Sequence, residues 1–190
     1  NSVELDKLVT GDLFRIAASD FSVMNDWVVN VSNGHTVLQN STESIYGNTT
    51  LSTGDGAVPD RFKATLKRLI PFDPDTLYRM RVRYKAINGT PTIHAGFMCY
   101  KSNKTTIVGP TGTTSGYHAN TLSGPVPADS TWYIAEGFVK GWAIFGAQGT
   151  SLAETTSEAP GTVHSDTRYF SPFIDINSNS SVNTGIVELD

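Results

Sequence analysis

The chain has 190 residues, with 14 lysines and arginines against 18 acidic residues, and its net charge at neutral pH is −4. An acidic chain has no long-range attraction for nucleic acid, so we expect no nucleic-acid partner. No apolar stretch approaches the roughly 18 residues of a membrane span, so we expect no membrane insertion. The length is typical of one domain, and the low charged fraction of 17% is typical of polar, loop-rich β-sheets.

The first 18 residues differ in pattern from the rest. Residues 3–9 mix apolar and charged side chains, and Gly11 interrupts the segment. A stretch this short does not form a stable lone helix, which needs about 12–15 residues. We therefore interpret residues 1–18 as a stem or linker that docks on the domain or on other copies of the chain, and residues 19–190 as the folded domain. Because the chain lacks an initial Met and ends within an apparent strand, we expect it to be a fragment of a longer polypeptide.

Most of the remaining chain alternates apolar and polar residues with period two, which predicts β-strands. The Asn33-Gly34 pair lies between the predicted strands at 27–31 and 36–39 and predicts a hairpin. Eight or more short strands, long polar loops and no long helical pattern predict an all-β fold, an antiparallel β-sandwich of the jelly-roll type. The predicted strands cover residues 14–18, 27–31, 36–39, 62–70, 77–85, 92–101, 132–142, 169–176 and 185–189.

The stretch at residues 77–85 has one apolar and one basic row. Its apolar row should face the interior, and consists of Tyr78, Met80, Val82 and Tyr84. The basic row, Arg79, Arg81, Arg83 and Lys85, has two interpretations. In the first, the row contacts an acidic glycan through its guanidinium groups. In the second, which we favour, the row is a sheet face paired with acids on neighbouring strands. The candidate acids are Glu136, Asp175, Glu188 and Asp190.

The order of segments resembles the carbohydrate-binding-module-like jelly rolls of phage tail proteins. The resemblance rests on an early Trp, the 77–84 stretch, Trp132 at a strand start, the Arg168–Phe173 run and the closing 183–190 segment. The N-terminal segment resembles stem repeats that precede such domains in tail fibres and tail-tip host-specificity proteins, which are commonly trimeric.

The resemblance implies a non-catalytic domain in the tail of an extracellular virion. Its partners would be a host-surface glycan and, through the stem, two further copies of itself in a homotrimer. Two alternatives remain open: a purely structural spacer of the fibre, and a binding module of a polysaccharide-degrading enzyme. Related carbohydrate-binding families often hold a structural calcium ion near the chain ends. Asp190 is the one matching position here, and the other ligands are not assignable, so we predict no cofactor and leave a structural calcium ion open without assigning its site.

Sugar binding in water needs flat aromatic faces together with amide, carboxylate or guanidinium groups. The long loops offer both kinds of group, although each aromatic there has the alternative of packing on the rim of the core. The candidate carbohydrate-binding residues are Tyr46, Asn48, Tyr117, His118, Asn120, Trp142 and, from the basic row, Arg81. In contrast, we assign Trp27, Trp132, Phe170 and Phe173 to the core, and Cys99 to a buried apolar position.

Catalysis is not expected. The four histidines show none of the close spacings of a zinc site, and neither a Gly-x-Ser-x-Gly elbow nor a phosphate-binding glycine loop occurs. Glu136, Asp73 and Asp75 are nominal glycosidase carboxylates, but Asp73 and Asp75 lie in a Pro-containing turn, where Asp is common. We predict no catalytic residue and no metal ligand.

Overall fold

The computed structural model describes residues 26–31, 37–40, 50–53, 61–109, 118–143, 155–178 and 185–190. The regular structure in these ranges consists of strands. They are β1 (Trp27–Val31), β2 (Val37–Asn40), β3 (Thr50–Thr53), β4 (Phe62–Leu66), β5 (Ile70–Pro71), β6 (Tyr78–Ala86), β7 (Thr92–Tyr100), β8 (His118–Pro125), β9 (Tyr133–Trp142), β10 (Gly161–Val163), β11 (Tyr169–Ile176) and β12 (Val187–Leu189). The predicted stem and the predicted strand at 14–18 lie outside the described residues.

The strands form two six-stranded sheets. In sheet 1 the order is β1-β4-β11-β7-β8, and β5 also pairs with β11. In sheet 2 the order is β10-β9-β6-β12-β3-β2. The pairs are antiparallel except for β10 with β9, which is parallel. This architecture confirms the predicted all-β sandwich, and no helix in the described residues is long and apolar enough to span a membrane.

The predicted hairpin between the first two strands is wrong. β1 pairs with β4 in sheet 1, whereas β2 pairs with β3 in sheet 2. A turn signal reports where the chain reverses locally, but the partner of a strand depends on which pairing buries its apolar side. Pairing with β4 sets Trp27 opposite Leu66, and both side chains are buried in the same core cluster.

The interior between the sheets is built from alternate residues of the central strands. In β6, Tyr78, Val82 and Tyr84 are buried and Met80 packs against them from a partly buried position, which confirms the predicted inward row. The larger of two core clusters contains Trp27, Phe62, Val82, Ile93, Ile174, Ile176 and Leu189, and the smaller contains Phe72, Tyr78, Phe97, Cys99, Val139 and Phe170.

Three further core predictions hold and one does not. Phe173 is fully buried. Phe170 packs in the smaller cluster, and Cys99 is fully buried, where burial raises the pKa of its thiol to about 12. Trp132 was assigned to the core, but the Arg83 guanidinium lies over its ring at 3.8 Å from the ring centroid, outside both clusters. Successive side chains alternate between faces, and Tyr133 takes the inward place by stacking on Tyr84 with ring centroids 5.7 Å apart.

Candidate functional site

The outer face of sheet 2 carries the basic row, and its charges are paired across the strands. The Arg83 Nη1 atom lies 2.7 Å from the carboxylate of Asp190, and the Lys85 Nζ atom lies 2.6 Å from that of Glu188. Arg79 and Arg81 both approach Glu136, at 3.7 and 3.9 Å. The favoured interpretation of this row, a salt-bridged sheet face, is therefore confirmed for these three acids.

Asp175 is the exception among the predicted partners of the basic row. It lies in β11 of sheet 1, where Arg61 binds it, so its assignment to the basic row is wrong. Sequence alternation could not show which sheet a strand joins.

Arg81 and Trp142, two of the predicted site residues, are not brought together. Arg81 is opposite Glu136 in the register of β6 and β9, six residues before Trp142, which corresponds to about 20 Å along a strand. Trp142 is 42% exposed and follows Gly141, whose φ is 77°. Its indole Nε1 donates to the Thr167 carbonyl at 3.1 Å, so the side chain reaches toward the start of β11 in sheet 1.

The outer face of sheet 1 carries a row of polar residues in neighbouring strands. Cross-strand register sets Asn30 opposite Lys63, Lys63 opposite Asp175, and Asp175 opposite His94. The residues on either side of Asp175, Ile174 and Ile176, belong to the core, so the Asp175 side chain points outward. We call Asn30, Lys63, Asp175 and His94, together with Arg61, the polar row.

Asp175 is the centre of the polar row. Its side chain is fully buried although it points away from both core clusters, and Arg61 binds it with two bonds: Nε donates to one oxygen at 3.0 Å and Nη2 to the other. A bidentate Arg–carboxylate pair fixes both groups in one plane. Burial lowers the pKa of Lys63, and Asp175 partly offsets that effect. The row is therefore internally hydrogen-bonded and shielded from solvent at its centre.

An aromatic row lies on the same face at the other end of β11. Tyr169 is opposite Tyr100 on one side and Pro71 on the other. The residues next to the two tyrosines, Phe170 and Cys99, are buried in the core, so the tyrosines point outward, and both are half-buried. We call Tyr169, Tyr100 and Pro71 the aromatic row. Six residues separate it from Asp175, which corresponds to about 20 Å.

The remaining predicted residues can be placed only in part. His118 and Asn120 lie in β8, which pairs with β7 in sheet 1, beside the polar row. Tyr46, Asn48 and Tyr117 lie outside the described residues. Arg61, His94, Asp175 and Tyr169 are not among the predicted site residues, although a polar or aromatic residue at an outward position of an otherwise apolar strand is a signal for three of them.

Asp190, the position matched to a calcium ligand, has its carboxylate bound by Arg83 and its side chain fully buried. Among the described residues, no group of three or more His, Cys, Asp or Glu side chains could hold a metal ion.

No family model and no curated protein matches this sequence. Among solved structures, the enzymatically active domain of tailspike protein 4 of bacteriophage CBA120 matches 90% of this chain with a TM-score of 0.51 and 12% identity. This chain spans only 19% of that tailspike structure. The CBM22-1 xylan-binding domain of Paenibacillus barcinonensis Xyn10C matches with a TM-score of 0.50 and 11% identity, covering 91% of this chain and 86% of that domain.

A third similar structure is the C-terminal family 22 carbohydrate-binding module of Clostridium thermocellum Xyn10B. Its TM-score is 0.46 and its identity 13%, over 91% of this chain and 87% of that module. Identities this low show a shared fold alone. The match to the CBM22-1 domain shows that the chain has the β-sandwich fold of that carbohydrate-binding module.

Proposed function

We propose that this chain binds carbohydrate on the outer face of sheet 1 and does not cleave it. The observation that carries the proposal is the presence of the polar row and the aromatic row on one sheet face. An extended oligosaccharide presents hydroxyls and apolar ring faces along its length, so hydrogen-bonding groups and aromatic surfaces about 20 Å apart match different sugars of one chain.

The biological setting we propose is the tail of a phage virion, in a fibre or tail-tip protein that recognises host-surface carbohydrate. The resemblance in segment order supports it, as does the likeness of fold to part of a tailspike protein. A second setting is favoured by a different observation: the chain spans 86% of a domain described as xylan-binding. In that setting the chain is the binding module of a polysaccharide-degrading enzyme.

The binding face can be tested by titrating the chain calorimetrically with soluble xylan and with polysaccharide extracted from candidate host bacteria. Tyr169→Ala removes the centre of the aromatic row, and we expect it to weaken binding at least about tenfold, equivalent to 1.4 kcal/mol. Arg79→Ala is the matched control, because Arg79 is exposed on the outer face of sheet 2. Circular dichroism checks that both variants fold.

If Arg79→Ala weakened binding and Tyr169→Ala did not, the assignment of the binding site to sheet 1 would be contradicted. Absence of binding to every polysaccharide at millimolar sugar would overturn carbohydrate recognition and favour the structural spacer. Release of reducing ends during the titration would contradict the non-catalytic part of the proposal.

A further inference from the structure

The aromatic row borders a positively charged rim at one end of the sandwich. The Lys104 Nζ atom lies 4.9 Å from the centroid of the Tyr169 ring, and the Arg168 guanidinium carbon lies 5.0 Å from that of the Trp142 ring. Arg168 and Tyr169 are consecutive, so the two cation–aromatic pairs are adjacent along the chain. We call Lys104, Arg168 and the Tyr169 and Trp142 rings the cationic rim.

Lys104 of the cationic rim lies in a tight turn. Its φ is 62°, in the left-handed region that non-glycine residues rarely adopt. The Asn103 side chain stabilises the turn, since its Oδ1 accepts from the backbone N–H groups of Thr105 and Thr106 at 3.2 and 3.0 Å. The turn thus keeps a lysine over Tyr169 at a position where glycine would relieve the strain.

The Arg168 side chain is also oriented in advance. Its Nη1 donates to the backbone carbonyls of Ser165 and Thr167, both at 2.8 Å, and Trp142 donates to the same Thr167 carbonyl. Within the described part of the chain, these bonds leave the Nε and Nη2 donors of the guanidinium without a partner. Two such donors are the fork that binds a planar carboxylate in bidentate fashion.

Asp166, an acidic neighbour of Arg168, is paired mainly with a lysine outside the rim, although its carboxylate also interacts electrostatically with Arg168. The nearby carboxylate of Asp166 accepts from the Lys101 Nζ atom at 2.9 Å, and that bond is the main reason why the pKa of Asp166 is lowered. Among the described residues, neither Lys104 nor Arg168 forms an ion pair. The rim therefore offers two positive charges beside two aromatic rings, although the whole chain is acidic.

We infer that the glycan bound by this chain is acidic, with sugar carboxylates at the guanidinium fork of Arg168 and at Lys104. This inference rests on the proposed function and adds the class of ligand. A polymer of uronic acids offers a planar carboxylate for the guanidinium fork and a further carboxylate for the lysine.

The test uses the intact chain and polysaccharides that differ only in charge. Polygalacturonate and glucuronoxylan are each titrated beside the same material after chemical reduction of its carboxyl groups. We expect the acidic form to bind at least tenfold more tightly, and its affinity to fall as salt is raised from 20 to 500 mM because exposed charges are screened. Lys104→Gln and Arg168→Gln should each weaken binding of the acidic form much more than binding of the reduced form.

Arg79→Gln is the control, since it removes a cation of the other sheet face. Arg168 also supports its own loop, so Lys104→Gln decides the test if Arg168→Gln loses folded structure. Equal binding of acidic and reduced polysaccharides would overturn the inference and leave carbohydrate binding intact. Absence of binding to either form of every sample, host polysaccharide included, would overturn the proposed function and the inference together.

Discussion

At the scale of single residues, His94 shows how the sheet face sets the chemistry of its side chains. Burial lowers the pKa of His94, Asp175 acts in the opposite direction, and Arg61 adds to the lowering. The pKa of an unperturbed histidine is about 6.5, so His94 is neutral at pH 7. A neutral imidazole has one donor and one acceptor nitrogen, which suits it to a sugar hydroxyl that also donates and accepts.

The lowered pKa of His94 predicts a loss of stability in mild acid. As the pH falls below about 6.5, the unfolded chain binds the proton before the folded chain does, so the free energy of unfolding decreases. Guanidinium denaturation at pH 7.5, 6.5 and 5.5 measures the effect, and His94→Gln should flatten this dependence. The carboxylates with lowered pKa, such as Asp73 and Asp166, act only at more acidic pH. Identical slopes for both proteins would contradict the prediction.

At the scale of elements, β12 is three residues long and yet lies between β6 and β3 in the middle of sheet 2. Two ion pairs join it to β6, and both are largely shielded: Arg83 with Asp190, and Lys85 with Glu188. The Trp132 ring lies against both cations on the same face. These ion pairs therefore add to the few backbone hydrogen bonds that join β12 to β6.

Arg83 and Arg81 of the basic row should therefore differ in their effect on stability. Arg83→Ala leaves the buried Asp190 carboxylate without its guanidinium partner, and removing one member of a buried pair costs about 3–5 kcal/mol. Arg81→Ala removes an exposed arginine from the same face of the same strand, and exposed pairs are worth about 0–1 kcal/mol. Guanidinium denaturation of both variants gives the comparison. Equal losses would contradict the assigned role of Arg83.

Strand positions could be predicted because the period of two is a local property of the sequence. Strand pairing could not be predicted, since it depends on partners that are distant in the chain. The alternation in residues 77–85 and 92–101 located β6 and β7 within a residue or two. The Asn33-Gly34 signal failed because β1 and β2 enter different sheets. Trp132 was misplaced by one position of alternation, since it precedes β9 and its neighbour Tyr133 faces inward.

At the scale of the whole molecule, the proposed site depends on contacts that sequence reasoning could not reach. Arg61 and Asp175 are 114 residues apart in the chain, and only the order β4-β11-β7 brings Lys63, Asp175 and His94 into one row. Aromatic residues in polar loops stand out in a sequence, which explains why the predicted site favoured loops. Outward polar residues in a strand resemble ordinary solvated positions until the sheet is assembled.

The stem gives a prediction for the assembled molecule. Residues 3–9 carry four apolar side chains, Val3, Leu5, Leu8 and Val9, which a segment of this length cannot bury by itself. We expect the full chain to form a homotrimer through residues 1–18, and a chain that begins at residue 19 to be a monomer, as measured by sedimentation equilibrium. Both should bind free oligosaccharide equally, because the proposed site lies wholly in the domain. On immobilised polysaccharide the trimer should bind more tightly through multivalency. If the truncated chain were still a trimer, the role of the stem would be contradicted. Leu8→Asp places a charge in the same segment and tests the trimer without shortening the chain.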